Sequence, residues 1–224
     1  MKAMILAAGR GERMRPLTDT CPKPLLEVGG RMLIEYHLAN IKQAGITEVV
    51  INHAWLGEQI ESRLGDGSRY GLQIVYSREG EALETAGGIQ KALPLLGEEP
   101  FIAINGDIWT DYPLSRLPSA PPGLAHLVMV DNPAQHPNGD FQLTDGYLLA
   151  EGQACLTFSG IGLYRPTMFA ELKPGKSPLA PLLRAAMARQ AVSAEHYTGQ
   201  WFDIGTPQRL QALDAQLTRQ AQHG

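Results

Sequence analysis

At 224 residues, with 44% apolar and 19% charged side chains, the chain is long enough to bury a substantial core and ordinary enough in composition to be globular. A formal net charge of −4 argues against a general nucleic-acid binder, which needs a basic face for phosphates, and no apolar run approaches the length of a membrane span. Met1 and Lys2 followed by the apolar stretch to Ala8 make too short a core for a secretory signal, so a soluble, cytoplasmic protein is the expectation.

The first 26 residues read as one short buried strand and a long loop. Ala3-Met4-Ile5-Leu6-Ala7-Ala8 is a continuous apolar run, the pattern of a strand covered on both faces in a mainly parallel sheet. It stops at Gly9, and the loop beyond carries Arg10, Arg13, Arg15 and Lys23. Gly9 and Gly11 lack a Cβ, so their backbone can approach a ligand closely or form an anion-binding nest, while Arg13, Arg15 and Lys23 add charge for several phosphate oxygens. Pro22 and Pro24 fix the backbone on either side of Lys23 and aim its ammonium. Two commoner phosphate loops are excluded by position: Met14 stands where the dinucleotide fingerprint needs its third glycine, and no Gly-Lys-Ser/Thr ending marks a Walker A loop.

Further along, Leu33, Ile34, Leu38 and Ile41 recur at helical spacing within 31–44, with Gly45 at the stop. The reading then runs strand 48–52, helix 56–64, strand 72–76, a helix through Leu93 with Thr85 as N-cap, and strand 101–105. Such β-α-β-α order predicts an α/β fold with helices on both faces of a parallel sheet. Asp107 follows the last of these strands directly, where open α/β sheets bind ligands; read alone, it is a turn or cap residue. After a proline-rich surface connection come strand 124–130, a hairpin over 138–149 turning at Asp145-Gly146, strand 157–164, helix 179–188 and strand 192–197. Thr206 as N-cap and Pro207 at the first position open the terminal helix. Cys21 and Cys155 are expected as free thiols, the histidines show no zinc spacing, and Ser159-Gly160 is not a nucleophile elbow.

The string Leu6-Ala7-Ala8-Gly9-x-Gly11-x-Arg13-Met14-x-Pro16-Leu17-Thr18, followed by Pro22-Lys23-Pro24, resembles the signature of the sugar-1-phosphate nucleotidylyltransferases. Asn105-Gly106-Asp107 is similar to that family's Mg²⁺-binding segment, and Trp201-Phe202-Asp203-Ile204-Gly205-Thr206 to its Trp-x-Asp-x-Gly-Thr string. The resemblance implies a three-layer, Rossmann-like, mainly parallel sheet flanked by helices, with a hairpin-rich sugar-binding part. It implies a single domain over 1–224, in which 1–110 mainly hold the nucleotide, 111–205 mainly hold the sugar and 206–224 form a C-terminal helix.

Carried over position by position, the likeness gives Ala8, Gly9, Gly11, Glu12, Arg13, Lys23 and Asn105 to the nucleotide, Glu81 to its base and Gly88 to the base edge. It gives Gly139, Asp140 and Glu151 to the sugar, Asp107 and Asp203 to Mg²⁺, and the catalytic work to Arg13, Lys23 and Asp107. Three positions depart from the pattern. Glu84 stands where most relatives have glycine, Phe158 where they have asparagine, and Gly152 where a lysine grips the sugar phosphate, leaving Arg15, Arg165 or Mg²⁺ as substitutes. The implied partners are UTP and a sugar 1-phosphate, the compact length and the departures at 84 and 152 pointing to N-acetylmuramic acid α-1-phosphate and cell-wall recycling. Guanylyl transfer to mannose 1-phosphate, a non-catalytic nucleotide-sugar sensor and a choline-phosphate cytidylyltransferase stay open as alternatives. No association module is read, and the oligomeric state stays open, a monomer included.

Overall fold

The apolar run at the N terminus forms β1 (Lys2–Leu6), and its period-two alternation decides the layering of the molecule. Ala3 and Ile5 pack into one apolar cluster with Ile34, Leu38 and Ile41, whereas Met4 points the other way into a cluster with Ile89, Ala92 and Phe101. The computed structural model that shows this describes residues 1–223.

After β1 the chain makes a small hairpin, β2 (Glu27–Val28) and β3 (Arg31–Met32), then α1 (Leu33–Gln43), β4 (Glu48–His53), α2 (Gly57–Leu64), β5 (Gln73–Arg78), α3 (Glu84–Leu96) and β6 (Phe101–Asn105). The second half adds β7 (Ile108–Thr110), β8 (Ala125–Val130), β9 (Phe141–Thr144), β10 (Tyr147–Leu149), β11 (Cys155–Tyr164), α4 (Leu179–Met187), β12 (Val192–Tyr197), β13 (Trp201–Asp203) and α5 (Pro207–His223). Nine strands form one sheet in the order β5-β4-β1-β6-β11-β8-β12-β10-β9, and β9 also pairs with β11. It is wholly parallel from β5 to β6 and mixed beyond, because β11 enters antiparallel between β6 and β8. The hairpin turn falls at Asp145 and Gly146, with φ of 49° and 81°, the left-handed pair that a two-residue turn of this hand demands.

Two local expectations are corrected. Thr85 is not an N-cap: α3 begins at Glu84, two residues earlier than that reading places it, and its N-cap position, Leu83, makes no side-chain capping bond among the described residues. The carbonyl of Ser177 accepts from the amides of Ala86 and Gly87 at 3.0 and 3.1 Å, so the first turn has its acceptor from elsewhere in the chain. The segment read only as the approach to the terminal helix contains β13, which pairs antiparallel with β7. That pairing sets Asp203 opposite Ile108, and the Ile204 amide donates to the Asp107 carbonyl at 2.9 Å. Gly224, counted with the terminal helix in the sequence reading, lies outside the described residues.

A third apolar cluster stands apart from the sheet. It joins Met14 of the first loop and Leu33 of α1 to Trp109 of β7 and to Ile204, Leu210 and Leu213 at and within α5. The C-terminal helix therefore backs the glycine-and-arginine loop. Among the described residues no helix is long and apolar enough to cross a membrane.

Candidate active site

A cleft of about 430 Å³ opens at the carboxyl ends of β1 and β6, and Ala8, Gly9, Gly11, Glu12, Arg13, Lys23, Asn105 and Asp107 all line it. Its floor is the loop after β1. Gly11 sits at φ +68°, and a Cβ there would meet Thr18 Cγ2 at 3.0 Å, so glycine is needed both for the backbone hand and for the closeness of the turn. Thr18 Oγ1 donates to the Gly11 carbonyl at 2.8 Å, and fully buried Met14 anchors the following one-turn helix. The amides of Gly9, Arg10 and Gly11 make no hydrogen bond to other described residues, which leaves them available to an anion.

The structure sorts the cations of this loop. Arg10 stacks on the ring of Trp55 at 3.9 Å and Arg15 pairs with Asp19 at 2.6 Å, and neither lines the cleft. Arg13 is exposed on the cleft wall and makes no ion pair among the described residues. Lys23 is buried, and its Nζ lies 2.9 Å from Asp107 Oδ2. Burial of the lysine beside a half-exposed carboxylate makes this a contact little screened by water, at the junction of the first loop and β6.

Facing the loop are Ala82, Glu84 and Thr85 rather than the predicted Glu81. The Glu81 side chain is 85% exposed and turns outward to Lys176, 3.6 Å away. Gly88 is buried and does not line the cleft; a Cβ there would meet Glu79 Oε1 at 2.5 Å and Asn52 Nδ2 at 2.8 Å. Those two side chains form a network that sequence reading missed. The Ala7 amide donates to Asn52 Oδ1 at 2.8 Å, Asn52 Nδ2 to Glu79 Oε1 at 2.6 Å, and the Leu83 amide to Glu79 Oε2 at 2.9 Å. It ties the start of the phosphate-type loop to the start of α3 through buried groups. The available signal was Asn52 itself, a polar residue ending an apolar strand.

Asn105 and Asp107 also border a second cavity of about 230 Å³, whose wall includes Gln135, His136, Asp140, Phe158, Trp201 and Asp203. Asp140 is held from both sides, by His136 Nε2 at 3.0 Å from Oδ1 and by the Phe158 amide at 2.8 Å from Oδ2. Gly139 does not reach this wall; it takes φ +64° in a turn so close that a Cβ would meet Asn132 Oδ1 and the Cys155 carbonyl at 2.7 Å each. Glu151 is exposed in the bend after β10 and is also absent from it. The lysine missing after Glu151 has a steric reason, since a Cβ at Gly152 would lie 1.9 Å from Gln142 Oε1. Neither side-chain substitute for it stands in either cavity: Arg15 is paired with Asp19, and Arg165 donates to the carbonyls of Gly123 and Pro121.

Asp107 and Asp203 are brought to one cavity by the β7–β13 ladder. Each commits only one oxygen, Asp107 Oδ2 to Lys23 and Asp203 Oδ2 to Arg209 of α5, a partner that sequence reading missed. The remaining Oδ1 atoms accept no hydrogen bond among the described residues. No group of three or more potential metal-binding side chains occurs among them either. Two hard oxygen donors with the other positions open match a cation that keeps waters and takes phosphate oxygens, as Mg²⁺ does.

The nucleotidyl transferase family model matches residues 2–120. The N-acetylmuramate alpha-1-phosphate uridylyltransferase of Neisseria meningitidis serogroup B is 55% identical, over 96% of this chain and 97% of its own. The protein of the same name from Caulobacter vibrioides is 34% identical over 96% of both chains. The structure of the inositol-1-phosphate CTP transferase from T. maritima superposes with a TM-score of 0.81 at 18% identity, covering 100% of this chain and 96% of the other, which is a likeness of fold. Matched by the family model over more than half its length and by relatives from end to end, the chain belongs to the nucleotidyl transferase family.

Proposed function

We propose that the protein transfers the uridylyl group of UTP to N-acetylmuramic acid α-1-phosphate, giving UDP-N-acetylmuramate and pyrophosphate, as a cytoplasmic step of cell-wall recycling. The observation that carries this reading is buried Lys23 paired with half-exposed Asp107 between a loop of free amides and a second cavity, where two anions must meet for such a reaction. The acceptor is taken from the names of the relatives matched end to end.

In the reaction an acceptor phosphate oxygen attacks the α-phosphorus in line; that P–O bond forms, the bond to the bridging oxygen breaks, and pyrophosphate leaves with its electron pair. No proton need move and no covalent enzyme intermediate is required, so the site works by placing two anions and neutralising charge. Arg13 and the amides of Gly9 and Gly11 hold the β- and γ-phosphates, while Lys23 serves the α-phosphate. Ala8, Glu12 and Asn105 shape the nucleotide side of the cleft, and Asp140 meets the sugar hydroxyls. Asp107 and Asp203 would hold Mg²⁺, which when bound would supply neutralisation of the phosphate charge.

A pyrophosphate-release screen of UTP, GTP, CTP and dTTP against a panel of sugar 1-phosphates, with and without Mg²⁺, tests this. UTP with N-acetylmuramic acid α-1-phosphate gives the highest kcat/KM, and removing Mg²⁺ abolishes release. A preference for GTP with mannose 1-phosphate overturns the substrate assignment. Nucleotide binding with no release from any pair makes the protein a sensor instead.

A further inference from the structure

The second cavity presents Asp107, Asp140 and Asp203, and among the described residues on its wall His136 is the one side chain able to carry positive charge. N-acetylmuramic acid differs from N-acetylglucosamine by a lactic acid in ether linkage at O3, so this acceptor brings a carboxylate besides its phosphate. The neighbouring cations are already committed, Lys23 to Asp107 and Arg209 to Asp203, so an additional anion requires a further cation or well-placed N–H donors. We propose that His136 is the specificity-determining residue for the acceptor, its imidazolium binding the lactyl carboxylate; this rests on the acceptor class inferred above.

The loop carrying His136 is built to hold it still. Its own amide donates to the Pro133 carbonyl at 2.8 Å, and Asn132 Nδ2 donates to the carbonyls of Pro137 and Cys155 at 3.1 and 2.8 Å, pinning the loop to β11. Asp140, fixed on its other oxygen by the Phe158 amide, receives His136 Nε2 at 3.0 Å and so orients the ring. A doubly protonated imidazole then keeps Nδ1–H for a second carboxylate, and the Gln135 side chain on the same wall adds an amide donor. At Glu151 and Gly152, where family likeness places the acceptor contacts, the structure has an exposed bend and a glycine packed on Gln142.

The test compares two ligands that differ only in the lactyl group. The full chain is titrated calorimetrically, in Mg²⁺ buffer, with UDP-N-acetylmuramate and with UDP-N-acetylglucosamine. The unaltered protein prefers the former by tenfold or more, His136→Gln brings the ratio of Kd values close to one, and His136→Arg, which keeps a positive charge, restores most of the preference. Absence of preference in the unaltered protein, a Gln variant that retains the ratio, or equal weakening of both ligands overturns the proposal. If UTP and N-acetylmuramic acid α-1-phosphate release pyrophosphate while the Gln variant keeps its preference, the histidine assignment alone falls. If no acceptor releases pyrophosphate, the functional reading falls and takes this inference with it.

Discussion

Lys23 earns its place through what surrounds it: two prolines that set its backbone, a buried stem, and a carboxylate 2.9 Å from its ammonium. On the proposed reading its charge complements the phosphates mainly as charge develops on them, so Lys23→Ala should lower turnover by roughly 10²–10³-fold, the cost of removing one aimed donor, with little loss of UTP affinity. Steady-state kinetics beside a UTP titration checks this, and near-normal turnover refutes the role. Glu84 presents the opposite case, a residue that the backbone tolerates at a cost. It sits at φ 60°, the left-handed region, at the position where most sugar-1-phosphate nucleotidylyltransferases resembled by the sequence carry glycine. A non-glycine residue in that region stores strain. Glu84→Gly should stabilise the fold by about 1 kcal/mol, raising Tm by roughly 2–4 °C in a scanning melt. The loop that lines the cleft was legible in the sequence because glycine and arginine after a strand have few other uses together. Direction was not legible: Arg10, Arg13 and Arg15 look alike in a string, and only packing on Trp55 and pairing with Asp19 separates them.

Among the elements, apolar pattern and helix-start signals together identified all five helices and most strands of the main sheet, including strands 101–105 and 192–197 at their observed limits. They passed over β7 and β13, three residues each, which are too short to display alternation and hold together through each other. Asn52 and Glu79 were missed for a related reason, since a bond between residues 27 apart leaves no local pattern. The cluster of Met14, Leu33, Trp109, Ile204 and Leu213 makes α5 the rear support of the anion loop. Leu213→Ala, at a fully buried position that lines neither cavity, should therefore cost about 2–5 kcal/mol in urea unfolding and also weaken UTP binding. A variant destabilised to this degree with unchanged UTP affinity would show that the helix only stabilises.

Across the whole molecule, acid should act in two stages. Burial pushes the His37 imidazole down to about 4 from its ordinary 6.5, and its Nε2 has no partner among the described residues. Hydrogen bonding from Arg78 above all, aided by His53 and opposed by burial, holds Glu61 near 2 instead of 4.5. In both cases the unfolded chain binds a proton that the folded chain refuses, so stability present at neutral pH is lost as pH falls. The His37 share goes between pH 6.5 and about 4, and the Glu61 share between pH 4.5 and about 2. Urea midpoints measured across this range should decline in both windows, and His37→Gln should flatten the upper one; an unchanged slope there would exonerate the histidine.

The packing of Gly152 against Gln142 also constrains where this protein can go. A lysine introduced at 152 alone finds its first carbon occupied, so Gly152→Lys should unfold at lower urea, whereas pairing it with Gln142→Gly should recover much of the loss. Any change that places a lysine at 152 therefore has to be matched by a smaller side chain at 142, because the two positions share one space across the turn.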